Sequence, residues 1–286
     1  MPTFSSGATD APSEGNLFPA RIPRRFLNAV GRVLLGLTNT IHGLGAFILI
    51  SLGVALTKSG LAPRVIRPLI RSQIYRAGVR LLPMVGFLGF ALGFVVIGQT
   101  VSLLSRVGAT KYAGLIMVSS IVRELGPLAT TLLVLARVGT ATVIELGTSR
   151  AMGEVEALEA LAIDPIHYLV VPRLAGIAVA VSGLTVYLIL VALISGYLFA
   201  FVQDVPLRPE DYFGQIAAAL SWEDFVLLGI KTISFGIIIA AVTCYHGLAQ
   251  PLRLEEVSGA ATSAVMQSVV ACIILDAIFI TVYLVM

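Results

Sequence analysis

Residues 81–104 read LLPMVGFLGFALGFVVIGQTVSLL, an apolar stretch of 24 residues without a charged side chain. About 20 such residues suffice for a helix to cross the hydrocarbon core of a bilayer. The composition of the whole chain agrees with this reading, because 57% of its 286 residues are hydrophobic and only 12% are charged. A soluble domain carries about a quarter charged residues. The sequence therefore predicts an integral membrane protein.

Four further apolar segments are long enough to cross a bilayer, so five spans are predicted in all. Helices satisfy their own backbone polar groups inside hydrocarbon, and these segments are too long and too continuous for the alternating strands of a barrel. The predicted fold class is therefore an all-α integral membrane protein with five transmembrane helices. Besides residues 81–104, the predicted spans cover residues 112–138, 172–202, 225–248 and 262–286.

A sixth apolar stretch, residues 33–57, differs from the five spans in its flanks. Four basic residues precede it from Arg21 onward, six follow it up to Arg80, and no acidic residue lies between Arg21 and Arg80. Basic flanks favour the cytoplasmic side of a membrane, so a segment that crossed once would leave one flank on the disfavoured side. We therefore expect an interfacial or re-entrant helix, with a sixth span as the alternative.

These patterns predict the domain organisation and the topology. Residues 1–20, rich in Ser, Gly and Pro, are expected to form a disordered tail, followed by a basic amino-terminal region at 21–80 and a five-span domain at 81–286. The amino terminus and the loop between the second and third spans are expected in the cytoplasm. The acidic loop 203–224 and the carboxy terminus are expected outside. The short loop with Arg106 and Lys111 also falls outside, which is a mild violation of the same rule.

The loop between the second and third predicted spans predicts a short amphipathic helix near residues 150–163. Apolar residues recur there at near-helical spacing, acidic residues occupy the other faces, and Asp164 precedes Pro165, which disfavours further helix. Anionic lipid attracts basic helices, whereas an acidic helix with an apolar stripe suits a protein groove. We expect this helix to dock with a cytoplasmic partner; a solvated surface helix is the alternative. The residues expected at the contact are Met152, Glu154, Val155, Glu156, Leu158 and Glu159.

Charged residues inside the predicted spans are candidate binding residues, because a charge at the bilayer centre costs about 2.5–3.5 kcal/mol on insertion scales. Arg123 and Glu124 are adjacent and therefore point in different directions on a helix. One arrangement pairs Glu124 with Lys231 of the fourth span. These side chains either hold the bundle together as an ion-pair network or line a cavity that binds a polar headgroup. Asp276 of the fifth span is expected to be structural.

The first predicted span has a face of small residues. Gly86, Gly89, Gly93 and Gly98 recur along it, and small residues let helices approach closely in lipid. This face either packs against another helix of the same chain or lies at a dimer interface beside the lipid path.

The sequence contains no pattern of catalysis or nucleotide binding. No Gly-rich loop ends in Gly-Lys-Ser or Gly-Lys-Thr, and His42, His167 and His246 lie in different elements without metal-ligand spacing. No basic stripe with interleaved aromatic residues indicates nucleic acid. An intramembrane lipid enzyme is therefore disfavoured. A secondary transporter or channel for a hydrophobic solute is a further possible function, although the chain lacks the internal repeat typical of that class.

Residues 123–176 read RELGPLATTLLVLARVGTATVIELGTSRAMGEVEALEALAIDPIHYLVVPRLAG. The elements RELGP, ARxG, ExG, EALxxLAIDP and PR follow one another there, and residues 261–279 form a second block. In order and spacing these elements closely resemble the MlaE/YrbE family of permeases, the membrane subunits of ABC transporters that act with MCE-domain proteins. Met152 and Gly153 depart from the charged or polar pair that many members carry.

The resemblance implies a function and a set of partners. The chain would be the permease subunit of an ABC transporter in the bacterial inner membrane that moves phospholipid or a related lipid, and it would form a homodimer. Its loop helix would be the coupling helix that binds a separate ATPase subunit, which holds ATP and Mg²⁺. An MCE-domain protein would exchange lipid on the external side, and a small STAS-type regulator is a further candidate subunit. Arg123, Glu124 and Lys231 would lie near the central lipid cavity.

Overall fold

The computed structural model describes residues 43–55, 57, 63–109, 112–202, 208–248 and 253–285. Within these ranges the chain is almost entirely helical and contains no β-strand, which confirms the all-α fold class. The predicted tail at 1–20 and residues 33–42 of the sixth apolar stretch lie outside the described residues.

Five helical runs are long and apolar enough to cross a membrane, as predicted. Each begins earlier or ends later than its predicted apolar segment, because hydropathy stops at the first charges whereas the backbone stays helical beyond them. The runs cover Arg64–Arg106, Ala113–Ala151, Ile166–Val202, Trp222–Leu248 and Val257–Val285. We call the last four spans 2 to 5.

The first run is divided near the point where the sequence places the start of its apolar segment. A basic helix, Pro63–Ala77, ends at a turn on Gly78, and a single 3₁₀ turn, Val79–Leu81, leads into the apolar helix. We call residues 82–106 span 1. The basic helix packs against the start of span 3, so the run changes from a basic helix to a membrane-crossing helix at this break.

The amino-terminal helix Gly43–Ala55 is the described part of the sixth apolar stretch. Its 13 residues extend about 20 Å, less than the ~30 Å of the hydrocarbon core. Phe47 lies edge-on to Tyr245 of span 4, with ring centroids 5.8 Å apart. The choice between an interfacial helix and a sixth span stays a prediction, since residues 33–42 are not described.

Span 3 forms the centre of the bundle and packs against the basic helix and spans 1, 2 and 4. The glycine face of span 1 meets it directly: a Cβ added to Gly89 would lie 2.9 Å from the carbonyl oxygen of Leu188, and Gly93 is in still closer contact with Ala192. Of the two alternatives for this face, the structure therefore shows packing within the chain.

Span 5 lies at the edge of the bundle. Within its most apolar stretch of 18 residues only 17% is buried, against 56% in the corresponding stretch of span 3. Its outward side chains, including Met266, Ile273 and Ile278, are more than half exposed. This apolar surface is left for lipid or for another protein chain.

The two ends of the bundle differ in charge. At one end, here called the basic end, lie the basic helix and a short helix between spans 2 and 3, Glu154–Ala160, here called the loop helix. At the opposite end lies the helix Pro209–Ala219, which carries Glu210 and Asp211 in its first turn, and we call this end the acidic end. The helix packs on the start of span 2. Its Tyr212 hydroxyl donates to the carbonyl oxygen of Leu193 at 2.9 Å, and burial raises the pKa of Tyr212.

Candidate functional site

Five charged side chains from spans 2, 4 and 5 meet inside the bundle. Lys231 lies about 9 residues from the start of span 4 and Asp276 about 9 residues from the end of span 5, and Arg123 lies about 10 residues from the start of span 2. At 1.5 Å per residue, all three stand ~13–15 Å from the acidic end. Three separate helices thus place a charged residue at about the same distance from the acidic end. We call the group the charge cluster; its members are Arg123, Glu124, Asp224, Lys231 and Asp276.

Lys231 is the centre of the charge cluster and is completely buried. Its Nζ donates to Glu124 Oε2 at 3.1 Å, the pair that the sequence predicted, and lies 2.6 Å from Asp276 Oδ1. A buried ammonium group is tolerated only where it has opposite charges and acceptors around it. Lys231 therefore ties span 4 to both span 2 and span 5. The expected structural role of Asp276 is consistent with this contact.

Lys231 also compensates for a proline in span 2. In an α-helix the carbonyl group of Arg123 would accept a hydrogen bond from the backbone of residue 127, but Pro127 has no N–H to donate. Lys231 Nζ donates to that carbonyl oxygen at 2.8 Å. The backbone there is a π-helical segment, Val118–Leu125, an irregularity that is common at functional sites.

Arg123 has partners different from those of its neighbour Glu124. Its Nε lies 2.8 Å from Asp224 Oδ1, and its Nη2 donates to Asp224 Oδ2 at 3.2 Å. The Nε contact is an ion-pair contact and the Nη2 contact is a charge-assisted hydrogen bond, which is stronger than a hydrogen bond between neutral groups. The guanidinium group also lies 5.2 Å from the ring centroid of Tyr283 on span 5, within the range of a cation–π contact.

Asp224 belongs to the site although the sequence assigned it to the external loop. Span 4 begins at Trp222, so Asp224 lies in its first turn, and both the backbone N–H and the hydroxyl of Ser221 donate to Asp224 Oδ2 at 3.0 and 3.1 Å. A Ser followed three positions later by an acid is a helix-start pattern. That pattern, directly before an apolar run, was the signal that could have extended span 4 to include Asp224.

The members of the charge cluster differ in how accessible they are. The side chains of Arg123 and Glu124 are 27% and 28% exposed, whereas Lys231, Asp224 and Asp276 are buried. Two cations and three carboxylates give a formal net charge of −1. Of the three residues predicted to line a lipid pocket, Arg123 and Glu124 have accessible surface in this conformation, and Lys231 lies behind them.

The loop helix has one inward and several outward side chains. Val155 is 4% exposed and belongs to the main hydrophobic core, so it is not available to a partner, contrary to its predicted place at the contact. Leu158 is half-buried, Met152 is 65% exposed, and the three glutamates are exposed. The contact itself stays a prediction for the residues other than Val155.

The loop helix is also shorter than predicted and is bounded by two unusual backbone positions. It begins after Gly153, whose φ of +77° is in the left-handed region that favours glycine, and it ends at Ala160, two residues before Ala162 with a φ of +58°. An apolar groove of ≈ 320 Å³ runs between the loop helix and the start of span 3. Leu158, Leu161, Tyr168 and Leu169 contribute to its walls.

No group of three His, Cys, Asp or Glu side chains within the described ranges is arranged to hold a metal ion. Both cysteines, Cys244 and Cys272, are buried and unpaired. What the site offers is therefore charge recognition inside a membrane bundle, together with an acidic helix beyond its basic end.

Five apolar spans, three of which are joined by buried ion pairs, define a multi-pass helical membrane protein, and comparison with known proteins identifies its family. The family described as Permease MlaE matches residues 70–282. This chain belongs to that family. The matched range includes the whole charge cluster and the loop helix.

Named relatives cover most of the chain. A Rickettsia felis protein named "Probable ABC transporter permease protein" is 30% identical over 247 residues, which cover 86% of this chain and 93% of that protein. The "Intermembrane phospholipid transport system permease protein MlaE" of Haemophilus influenzae is 26% identical over 210 residues, 73% of this chain and 80% of that protein. "Protein TRIGALACTOSYLDIACYLGLYCEROL 1, chloroplastic" of Arabidopsis thaliana is 29% identical over 205 residues, 71% of this chain and 58% of that protein.

Proposed function

We propose that this chain is the membrane subunit of an ABC transporter that moves phospholipid, or a related lipid, between the bacterial inner membrane and an MCE-domain protein. The observation that carries the proposal is the construction of span 2. This helix holds Arg123 and Glu124 of the charge cluster near the acidic end, and at the basic end it leads within three residues into the acidic loop helix. One rigid element thus joins a candidate lipid site to a candidate docking site.

Lipid transport of this kind requires an energy source. A phospholipid with about 32 methylenes would lose on the order of 25 kcal/mol if its chains met water, at ~0.8 kcal/mol each. Such a molecule does not leave a bilayer freely, so a transporter must offer a continuous apolar path and must be driven through a change of shape. The sequence has no Walker A loop, and in this proposal ATP and Mg²⁺ are bound by a separate ATPase chain.

The loop helix is the proposed contact with that ATPase. Its exposed glutamates and the exposed Met152 form a polar and apolar surface beyond the basic end, and such a surface fits a groove on another protein. Closure of the ATPase subunits would push on this helix and, through span 2, on the charge cluster. In this arrangement the amino terminus is cytoplasmic and the carboxy terminus is periplasmic.

At the other end of span 2, Arg123 and Glu124 are the proposed contacts for a lipid headgroup. Lys231, which also contacts Asp276, holds Glu124 in place, and Asp224 holds Arg123. The exposed apolar surface of span 5 is consistent with a homodimer in which the lipid path lies between two copies. The MCE-domain protein would bind at the acidic end, and a small STAS-type regulator would act from the cytoplasm.

Reconstitution with the ATPase tests the proposal. The full chain is co-expressed with a candidate ABC ATPase subunit and placed in phospholipid vesicles, and ATP hydrolysis and transfer of a fluorescent phospholipid to an MCE-domain protein are measured. We expect lipid-modulated hydrolysis and ATP-dependent transfer. ATP hydrolysis that does not respond to lipid contradicts the proposal. Solute movement by the chain alone, without ATP, favours a secondary transporter or channel instead.

A further inference from the structure

A second group of charged side chains lies at the basic end, away from the charge cluster. It surrounds a cavity of ≈ 330 Å³ between the end of the basic helix and span 2. Arg76 and Arg80 line it from the first run and Arg137 lines it from span 2. Arg137 is about 14 residues from Arg123 along the same helix, so the cavity is ~20 Å from the charge cluster.

The positive charge of this cavity is not neutralised by the protein. Its one carboxylate, Glu145, is shared by Arg173, whose Nη2 lies 2.9 Å from Oε2, and by Arg76, whose Nη1 lies 3.4 Å from Oε1. Within the described part of the chain, Arg80 and Arg137 have no ion pair or side-chain hydrogen bond. The three arginines and one carboxylate that line the cavity give it a formal net charge of +2.

The cavity lies beside the point where the first run changes from basic to apolar. Arg80 precedes the first residue of span 1 by two positions, so it stands where the chain passes from a basic helix to an uncharged one. Leu81 and Val138 form part of the same wall. A molecule in the cavity would therefore meet both guanidinium groups and apolar side chains.

We propose that this cavity binds a phosphate group, held by Arg80 and Arg137 from two different helices. The planar guanidinium fork matches the oxygens of a phosphate and can bind two of them at once. The glycine turn at Gly78 gives the chain a change of direction between Arg76 and Arg80, and both residues line the cavity. A bound phosphate would link the turn between the basic helix and span 1 to span 2. This site is separate from the proposed headgroup contacts at Arg123 and Glu124, and its existence does not depend on the direction or the cargo of transport.

Two sources supply the same phosphate chemistry, an anionic lipid headgroup and free inorganic phosphate. The full chain is purified in a maltoside detergent, which contains no phosphate, without lipid or with added phosphatidylglycerol, and thermal stability and lipid retention by native mass spectrometry are measured. Inorganic phosphate is titrated into the lipid-free sample in a parallel arm. Stabilisation by phosphatidylglycerol alone identifies the lipid, and stabilisation by inorganic phosphate identifies the free anion.

The variant that tests the site combines Arg80→Gln with Arg137→Gln. Loss of two charge-assisted contacts is expected to weaken binding of the stabilising phosphate compound by about tenfold or more. The matched control combines Arg106→Gln with Arg253→Gln, which removes the same charge from two exposed arginines outside the cavity. The control is expected to bind as the unmodified chain does.

Equal binding by the cavity variant and the control overturns the proposal, as does the absence of any effect of either phosphate source on the unmodified chain. Arg137→Lys keeps the charge but removes the guanidinium fork, so it guards against a folding defect in the double variant. It is expected to bind more weakly than the unmodified chain and more tightly than the double variant. Binding by Arg137→Lys that equals the unmodified chain contradicts the bidentate contact.

Discussion

The two ends of span 2 carry charge in opposite ways. Near the acidic end, Arg123 and Glu124 each have a named partner on span 4 at 2.8–3.1 Å. At the basic end and just beyond it, Arg137 and the glutamates of the loop helix are exposed. The difference follows from the solvent: inside the bundle an unpaired charge costs several kcal/mol, whereas near water it costs little. Arg137, Glu154 and Glu159 have no ion pair among the described residues, so they can meet a partner or a ligand without breaking one.

The largest effect on this contrast between the two ends is expected from replacement of Lys231, the cation at the centre of the charge cluster. Lys231→Met is expected to destabilise the chain by about 3–5 kcal/mol, because Glu124 and Asp276 would be left close together without a cation. Thermal unfolding in detergent and the yield of folded protein measure the effect. Arg106→Met, at an exposed arginine on span 1, is the control and is expected to change stability by no more than about 0.5 kcal/mol. A Lys231 variant as stable as this control would show that the charge cluster contributes nothing.

A smaller loss is expected at Arg123. Arg123→Gln should cost about 1.5–3 kcal/mol, the usual worth of hydrogen bonds to a charged group, because Asp224 keeps its two hydrogen bonds from Ser221. A double-mutant cycle with Asp224→Asn measures the pair directly. Additive effects of the two substitutions would show that the Arg123–Asp224 ion pair is not formed in the membrane.

Met152 and Val155 sharpen the comparison because they are only three residues apart, yet the side chain of Met152 is exposed and that of Val155 is buried. Val155→Ala removes two buried methylene equivalents and is expected to cost about 2 kcal/mol of stability. Met152→Ala should leave stability within about 0.5 kcal/mol but weaken retention of the ATPase by 1 kcal/mol or more. Co-purification at increasing detergent washes, together with thermal unfolding, separates the two effects. The reverse pattern would contradict the assignment of inward and outward sides.

The smallest expected effect is at Gly153. Gly153→Ala should cost about 1 kcal/mol, because a Cβ is disfavoured at a φ of +77°. Gly153→Asn should cost less, since asparagine tolerates the left-handed region. Limited proteolysis between spans 2 and 3 reports on the stability of this turn. Equal rates of proteolysis for Gly153→Ala and Gly153→Asn would mean that the backbone at position 153 leaves the left-handed region in both variants.

Much of the fold could be predicted from the sequence because a bilayer imposes a length and a polarity on each span. The five spans follow from hydropathy, and the pairing of Glu124 with Lys231 follows from the cost of leaving either one alone in hydrocarbon. The side of the loop helix that faces inward could not be predicted in the same way. The left-handed Gly153 lies between Met152 and Val155, so the helical period does not run from one to the other.

Two further parts of the site lay outside what periodicity can show. Arg123 and Glu124 occur in a π-helical segment, where the spacing of 3.6 residues per turn no longer gives the direction of a side chain. Asp224 was assigned to a loop because its acidic neighbours resemble loop residues, and only its contact with Arg123 reveals its role.

The hydrogen bond from Lys231 to the carbonyl oxygen of Arg123 makes two distant positions interdependent. Pro127 withdraws a backbone donor from span 2, and a side chain more than 100 residues later in the sequence supplies the replacement. Restoring an N–H at position 127 would therefore reduce the stability that Lys231 contributes. Shortening Lys231 would leave the carbonyl oxygen of Arg123 without its replacement donor, so Pro127 would become destabilising. Any sliding of span 4 past span 2 must first break this hydrogen bond, so a single side chain opposes relative movement of the two helices.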